Sequence, residues 1–106
     1  MKLFNRTKSM QLSKAEERLI FAMQLLGDKT RYKIFKLLMT RDEMCVTDIA
    51  EELNVTVSAI SQHFRNFELI GLVDKERMGQ KMCYMLKADD HLVNELAAMI
   101  KKDTNK

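Results

Sequence analysis

Thr47–Gly71 reads TDIAEELNVTVSAISQHFRNFELIG, and the fold turns on how this stretch is parsed. Thr47 can cap a short helix whose Ile49, Ala50 and Leu53 fall on one side. Asn54 supplies a tight polar turn, and Thr56 can cap a second, longer helix. At roughly 100° per residue, Ile60, Phe64 and Phe67 share one face of that helix, with Val57 and Ile70 at its edges. Ser58, Ser61, Gln62 and Arg65 occupy the opposite face. Two helices joined by a turn of three or four residues, the second with a polar outer face, are the sequence form of a helix-turn-helix. Two serines and a glutamine in exposed first turns are poor choices for helix propensity. They suit short hydrogen bonds to base edges and phosphates, and glutamine can bind adenine bidentately.

Downstream the hydropathy switches to period two. LVDKER, then Met78-Gly79, then QKMCYML reads as a two-stranded β-hairpin turning at glycine, with Lys75, Arg77 and Lys81 expected at its tip. A basic hairpin directly after a helix-turn-helix reads as a wing, suited to phosphates or a minor groove. Asp89 or Asp90 caps a last helix, DDHLVNELAAMIKK. Leu92, Leu96 and Met99 form one apolar row there, and Val93, Ala97 and Ile100 form another. Two rows exceed what one domain core needs, so one is expected to meet a partner subunit.

Upstream, Ser13-Lys-Ala-Glu16 is a capping box that opens a helix to about Leu26. Leu19, Ala22, Met23 and Leu26 make its apolar stripe, widened by Ile20 and Phe21. Gly27 ends it, and Asp28 caps the next helix, DKTRYKIFKLLMTR. Glu43–Val46 has room for only a brief strand. Residues 1–12, with Lys2, Arg6 and Lys8 and no acidic residue, read as a flexible basic arm. Residues 13–102 read as the domain and 103–106 as a tail. The expected architecture is mainly α, about five helices plus a two-stranded wing.

Composition sets outer bounds. The chain has 106 residues, 46% hydrophobic, with no proline and three glycines, which argues for one domain and against an all-β fold. A net charge of +3 is compatible with nucleic acid but not diagnostic of it. No run of 18 or more apolar residues occurs, and the start MKLFNRTKSMQ lacks an apolar region of signal-peptide length. Two cysteines without an export signal point to a reduced, cytoplasmic setting. No nucleophile is paired with a base, no carboxylate pair suggests hydrolysis, and Gly79 stands alone where a phosphate loop needs several glycines, so an enzyme is not expected.

In order and at matching spacing, LGDKTRYKIFKLL (26–38), EMCVTDIAEELNVTVSAISQHFRNFELIGLV (43–73) and RMGQKMCYML (77–86) resemble the ArsR/SmtB family of bacterial winged-helix repressors. The resemblance covers roughly residues 15–100. It implies a homodimer joined through the first and last helices and a double-stranded operator with inverted half-sites about 34–36 Å apart. It also implies a protein of the bacterial or archaeal cytosol associated with the nucleoid. Carried over by position, Val57, Ser58, Ser61 and Gln62 sit where the family contacts DNA, and Arg65, Arg77 and Lys81 suit phosphates. Gln62 departs from the first histidine of a pair often found there. His63 matches the second, on a buried shoulder that suits packing or DNA reading. Asp48, Glu51 and Glu52 make the first helix of the pair acidic, which predicts modest affinity with a steep salt dependence.

For sensing, the family's C-V-C metal pair is here Cys45-Val46-Thr47, and threonine cannot replace a thiolate. The last-helix metal site keeps its first half in Asp89, Asp90 and His91, but its second half would fall near Lys102 and Asn105. No metal or other cofactor is therefore expected at either of these two sites. Cys45 and Cys83 remain as candidate redox or soft-metal thiols, because the strand before the third helix commonly pairs with the returning wing strand. They could form a thiol switch or bind Cu(I), with Met44, Met82 and Met85 nearby. Equally they could be half-buried thiols packed in a methionine-rich core. Strand parity leaves open whether they share a face. The competing reading of the whole chain is a winged-helix module that binds protein, favoured only by the outward Leu69.

Overall fold

The computed structural model describes residues 10–104, so Lys2, Arg6 and Lys8 of the expected arm and the last two residues of the tail lie outside the described residues. Five helices and three strands follow in the order α1 Lys14–Leu26, α2 Lys29–Thr40, β1 Met44–Cys45, α3 Val46–Leu53, α4 Val57–Leu69, β2 Val73–Met78, β3 Lys81–Leu86 and α5 His91–Thr104.

Most boundaries follow from caps. Ser13 Oγ accepts from the Glu16 amide at 3.0 Å while Glu16 Oε1 accepts from the Ser13 amide at 2.9 Å, closing the capping box of α1. Asp28 accepts from the Arg31 amide at 3.0 Å and starts α2. Thr56 accepts from the Ala59 amide at 3.1 Å and starts α4. Between α3 and α4, Asn54 takes the left-handed conformation (φ 56°), which lets its amide and that of Val55 bond back to the last turn of α3. Gly71 (φ 67°) does the same after α4, and the Leu72 amide donates to Phe67 O at 3.1 Å. The cap of α3 differs from the sequence expectation. Cys45, not Thr47, is the N-cap, because strand pairing with the wing stops at Cys45 and Val46 already starts the helix.

That pairing also enlarges the wing. β1 joins β3 on the side away from β2, giving a three-stranded antiparallel sheet in the order β1-β3-β2 rather than a two-stranded hairpin. The hairpin itself is as expected: Met78 pairs with Lys81 across a two-residue turn at Gly79 and Gln80, with Gly79 at φ 65°.

The core is built where the helices cross over the sheet. Ile34 and Phe35 of α2, Ile49 of α3, and Ile60, Phe64 and Phe67 of α4 are all fully buried. Each such side chain contributes about 1.5–3 kcal/mol of burial. Phe67 lies between Phe35 (ring centroids 6.5 Å) and Phe64 (6.1 Å), and Phe64 stacks on Tyr84 of β3 at 3.9 Å. The recognition-type helix α4 is thereby seated on α2 below and on the wing beside it.

Two helix faces are rotated from the sequence expectation. In α1 the buried residues are Ala22 and Leu25, while Leu19, Ile20, Phe21 and Met23 are exposed. In α5 the buried residues are Val93, Leu96 and Ile100, drawn from both expected rows, and Met99 is exposed. A groove of about 240 Å³ lined by Met23, Leu26, Leu96 and Met99 joins the two outer surfaces. No described helix is long and apolar enough to cross a membrane.

Candidate nucleic-acid interface

Because the inner face of α4 is fixed by Ile60, Phe64 and Phe67, its outer face is fixed too. Val57, Ser58, Gln62 and Arg65 are exposed and Ser61 is half-buried, so the structure brings these five candidate residues onto one helix surface. Arg65 Nη1 donates to Gln62 Oε1 at 3.2 Å, one helical turn away. That bond orients the glutamine amide and spreads the guanidinium along the helix.

His63 sits on the shoulder between this face and α2. It is half-buried, its Nδ1 has no hydrogen-bond partner, and burial pushes its ring below the usual imidazole range, assisted by the nearby Arg31 charge and opposed by Asp28. A neutral ring held in this way packs against the α2 start. Arg31 itself is tied down, its Nε donating to Leu25 O at 2.8 Å.

On the wing, Arg77 and Lys81 are both exposed, but register puts them on opposite faces. Arg77 pairs with Met82, the neighbour of Lys81 in the strand. Arg77 shares the face of Tyr84, towards α4, and Lys81 shares the face of Cys83. Lys75 corrects a sequence expectation. It lies mid-strand opposite Tyr84, and its Nζ is 3.2 Å from Glu68, so it fastens the wing to α4 instead of crowding the tip. Tyr84 donates to the same carboxylate at 3.3 Å, and burial followed by the Glu68 charge raises its phenol above the ordinary range.

The acidity of α3 is partly neutralised. Glu52 forms a bidentate pair with Arg41, while Asp48 and Glu51 are exposed.

Sequence reading missed one anchoring contact. Arg18 of α1 donates to Asp90 Oδ2 at 2.8 Å, to Ile70 O at 2.8 Å and to Gly71 O at 3.3 Å. Asp90 also caps α5 by accepting from the Val93 amide at 3.1 Å. The guanidinium, then the backbone amides, hold this carboxyl below the usual carboxylate range. Nothing in the local sequence marks Arg18, since its partners lie 52 to 72 residues away.

Cys45 and Cys83 are direct cross-strand partners, Cα atoms 3.7 Å apart, with their sulfurs bonded. They therefore share a face, which sequence parity left open. Cys83 is 0% exposed and Cys45 is half-buried. The donor sets do not fit the metal sites that the resemblance implies. Thr47 offers a hydroxyl where a second thiolate is needed, Cys45 is bonded to Cys83, and Asp90 is taken by Arg18. Among the described residues no group of three or more His, Cys, Asp or Glu is placed to hold an ion.

A capped two-helix unit with a left-handed Asn turn, a polar outward α4 and a hairpin fastened beside it define a winged helix-turn-helix protein. Residues 28–75 match the model of the bacterial regulatory protein, arsR family. The cadmium resistance transcriptional regulatory protein CadC of Listeria innocua is 34% identical over 64 residues, 60% of this chain and 54% of CadC. A transcriptional repressor SmtB homolog of Synechocystis is 34% identical over 85 residues, 80% of this chain and 62% of the homolog. The chain thus spans between 54% and 62% of the length of these two curated relatives. Among solved structures, a homodimeric winged helix-turn-helix DNA-binding domain from Mycobacterium bovis superimposes with a TM-score of 0.70 at 20% identity, covering 90% of this chain and 88% of that one.

Proposed function

We propose that the protein is a dimeric, sequence-specific DNA-binding transcriptional repressor. The observation that carries this reading is the outer face of α4, where small and polar groups are displayed by a helix whose other side is locked by three buried aromatic and aliphatic residues. On this reading Ser58, Ser61 and Gln62 meet base edges in the major groove. Exposed Val57 at the helix start offers an apolar contact for a thymine methyl. Arg65, Arg77 and Lys81 meet phosphates, and Arg77 and Lys81, on opposite wing faces, reach different ones.

The partner subunit docks through α1 and α5. Their exposed Leu19, Ile20, Phe21, Met23 and Met99 form an apolar surface that a solvated monomer would leave bare. A domain of the same fold is homodimeric, which supports a two-subunit assembly. A two-fold dimer places two α4 helices on inverted half-sites about one DNA turn apart. The input is read at Cys45 and Cys83, by thiol oxidation or by a soft metal. A metal would first need the bridge between them opened.

The test is retention, in gel shifts at several salt concentrations, of duplexes recovered by selection from a random pool. Ser61→Glu sets a carboxylate against the phosphate field and should abolish retention with unchanged folding. Wild-type retention by that variant would remove α4 as the reading face. One observation favours a second reading, a protein-interaction module: Leu69 near the end of α4 is 71% exposed. If that reading holds, no duplex is selected at any salt concentration.

A further inference from the structure

We infer that Cys45–Cys83 is a reversible thiol-modification site at which low-molecular-weight thiols and peroxide set the seating of the recognition helix. This deepens the proposed DNA-binding function and rests on it. Three features converge on the pair.

The first is access. Cys83 is fully enclosed, while Cys45 is half-buried at the start of α3, so Cys45 Sγ is the sulfur an external thiolate can reach. Attack there forms a mixed disulfide on Cys45 and releases Cys83 as a thiolate, which takes up a proton. A second thiol then attacks the mixed disulfide, freeing the Cys45 thiolate and leaving as the small-molecule disulfide. Two electrons and one proton have passed to the protein, and Cys45 is left as the thiolate. In reverse, the Cys45 thiolate attacks hydrogen peroxide to give a sulfenic acid and hydroxide, which a proton converts to water. Cys83 then displaces water from that sulfenic acid, restoring the bridge.

The second feature is activation. Cys45 is the N-cap of α3, but its side chain makes no capping hydrogen bond. An anionic sulfur there faces the unpaired amides of the first helical turn, which stabilise negative charge. The attacking form is therefore favoured on the accessible sulfur.

The third is connection. β1 has only two register pairs with β3, Met44 with Tyr84 and Cys45 with Cys83. One neighbour of the bridge, Val46, begins α3; the other, Tyr84, carries the ring stacked on Phe64 of α4 and the hydroxyl bonded to Glu68. Two thiols need more room than one disulfide, because non-bonded sulfurs cannot approach as closely as bonded ones. Cys83 is fully enclosed and β1 is held to β3 by two register pairs alone, so opening the bridge parts β1 from β3. That displaces α3 or the Tyr84 ring on which α4 rests. The bridged state holds the reading geometry and the dithiol state loosens it.

The experiment compares full-length protein in both states. Alkylation and intact mass should count no free thiol in the bridged protein, two after dithiothreitol, and none again after one equivalent of peroxide. Glutathione disulfide should modify the Cys83→Ser variant at Cys45 but leave Cys45→Ser unmodified. Duplexes selected separately by each state should bind the bridged form at least about fivefold more tightly, the lower end of ordinary allosteric coupling. The Cys45→Ser/Cys83→Ser double variant should match the dithiol form with or without reductant, and thermal melts should verify that it is folded. Two thiols persisting after peroxide, or equal affinities in the two states, overturn the switch alone. Failure of both states to select any duplex overturns the DNA-binding reading, and the switch falls with it.

Discussion

Gln62 and Arg65 illustrate what single side chains do on the exposed face of α4. Their 3.2 Å bond keeps the glutamine amide presented, so truncating either perturbs the other. Gln62→Ala should cost about 1–3 kcal/mol against the preferred base at one position and relax selectivity there. Competition with base-substituted duplexes measures this, and a uniform loss across all sequences would instead make Gln62 a phosphate contact. On the inner face, Phe64 is enclosed by Phe67 and stacked on Tyr84. Phe64→Ala should lose about 3–5 kcal/mol of folding stability in denaturant titrations. Its inward placement was already legible in the spacing Ile60, Phe64, Phe67. The stacking partner was not, since a ring on a strand twenty residues later is chosen by packing.

At the scale of elements, the Arg18–Asp90 pair ties α1 to the end of α4 and to the start of α5. Asp90 has a depressed folded-state pKa, so its contribution is fully present above the unfolded carboxyl pKa of about 3.9 and is lost as pH falls through the lower folded value. The stability gap between wild type and Asp90→Asn should therefore be widest near neutral pH and close below about pH 4, read by thermal melts across that range. A gap that persists at low pH would mean the aspartate acts by packing alone. Element starts were legible because their caps are local: Ser13 with Glu16, Asp28 and Thr56 each bond an amide three residues on. The start of α3 departs from the Thr47 expectation because the interaction that decides it, pairing of β1 with β3, is not local.

For the whole molecule, the bare surface on α1 and α5 and the charge around α4 set two expectations. Phe21→Glu, at an exposed apolar position, should halve the mass in sedimentation equilibrium while leaving the far-UV spectrum intact. Unchanged mass would move the interface elsewhere. Phosphate contacts release counterions, so removing Arg77 or Lys81 should each reduce the slope of log affinity against log salt by about 0.9 per contact per subunit. An unchanged slope would take that side chain off the DNA. The exposed acids of α3 oppose this field, although the Arg41–Glu52 pair cancels one of them.

The sequence alone determined the helix-turn-helix, the wing turn and which face of α4 looks outward. Each depends on periodicity or on caps within a few residues, where backbone geometry leaves little choice. Tertiary structure decided what depends on distant partners. β1 joined the wing as a third strand, Lys75 turned to Glu68, α1 and α5 rotated their faces to fit the shared core, and Arg18 found Asp90 across the fold. It also brought Cys45 opposite Cys83, because strand register is fixed by the packing of whole faces and not by either cysteine's neighbours.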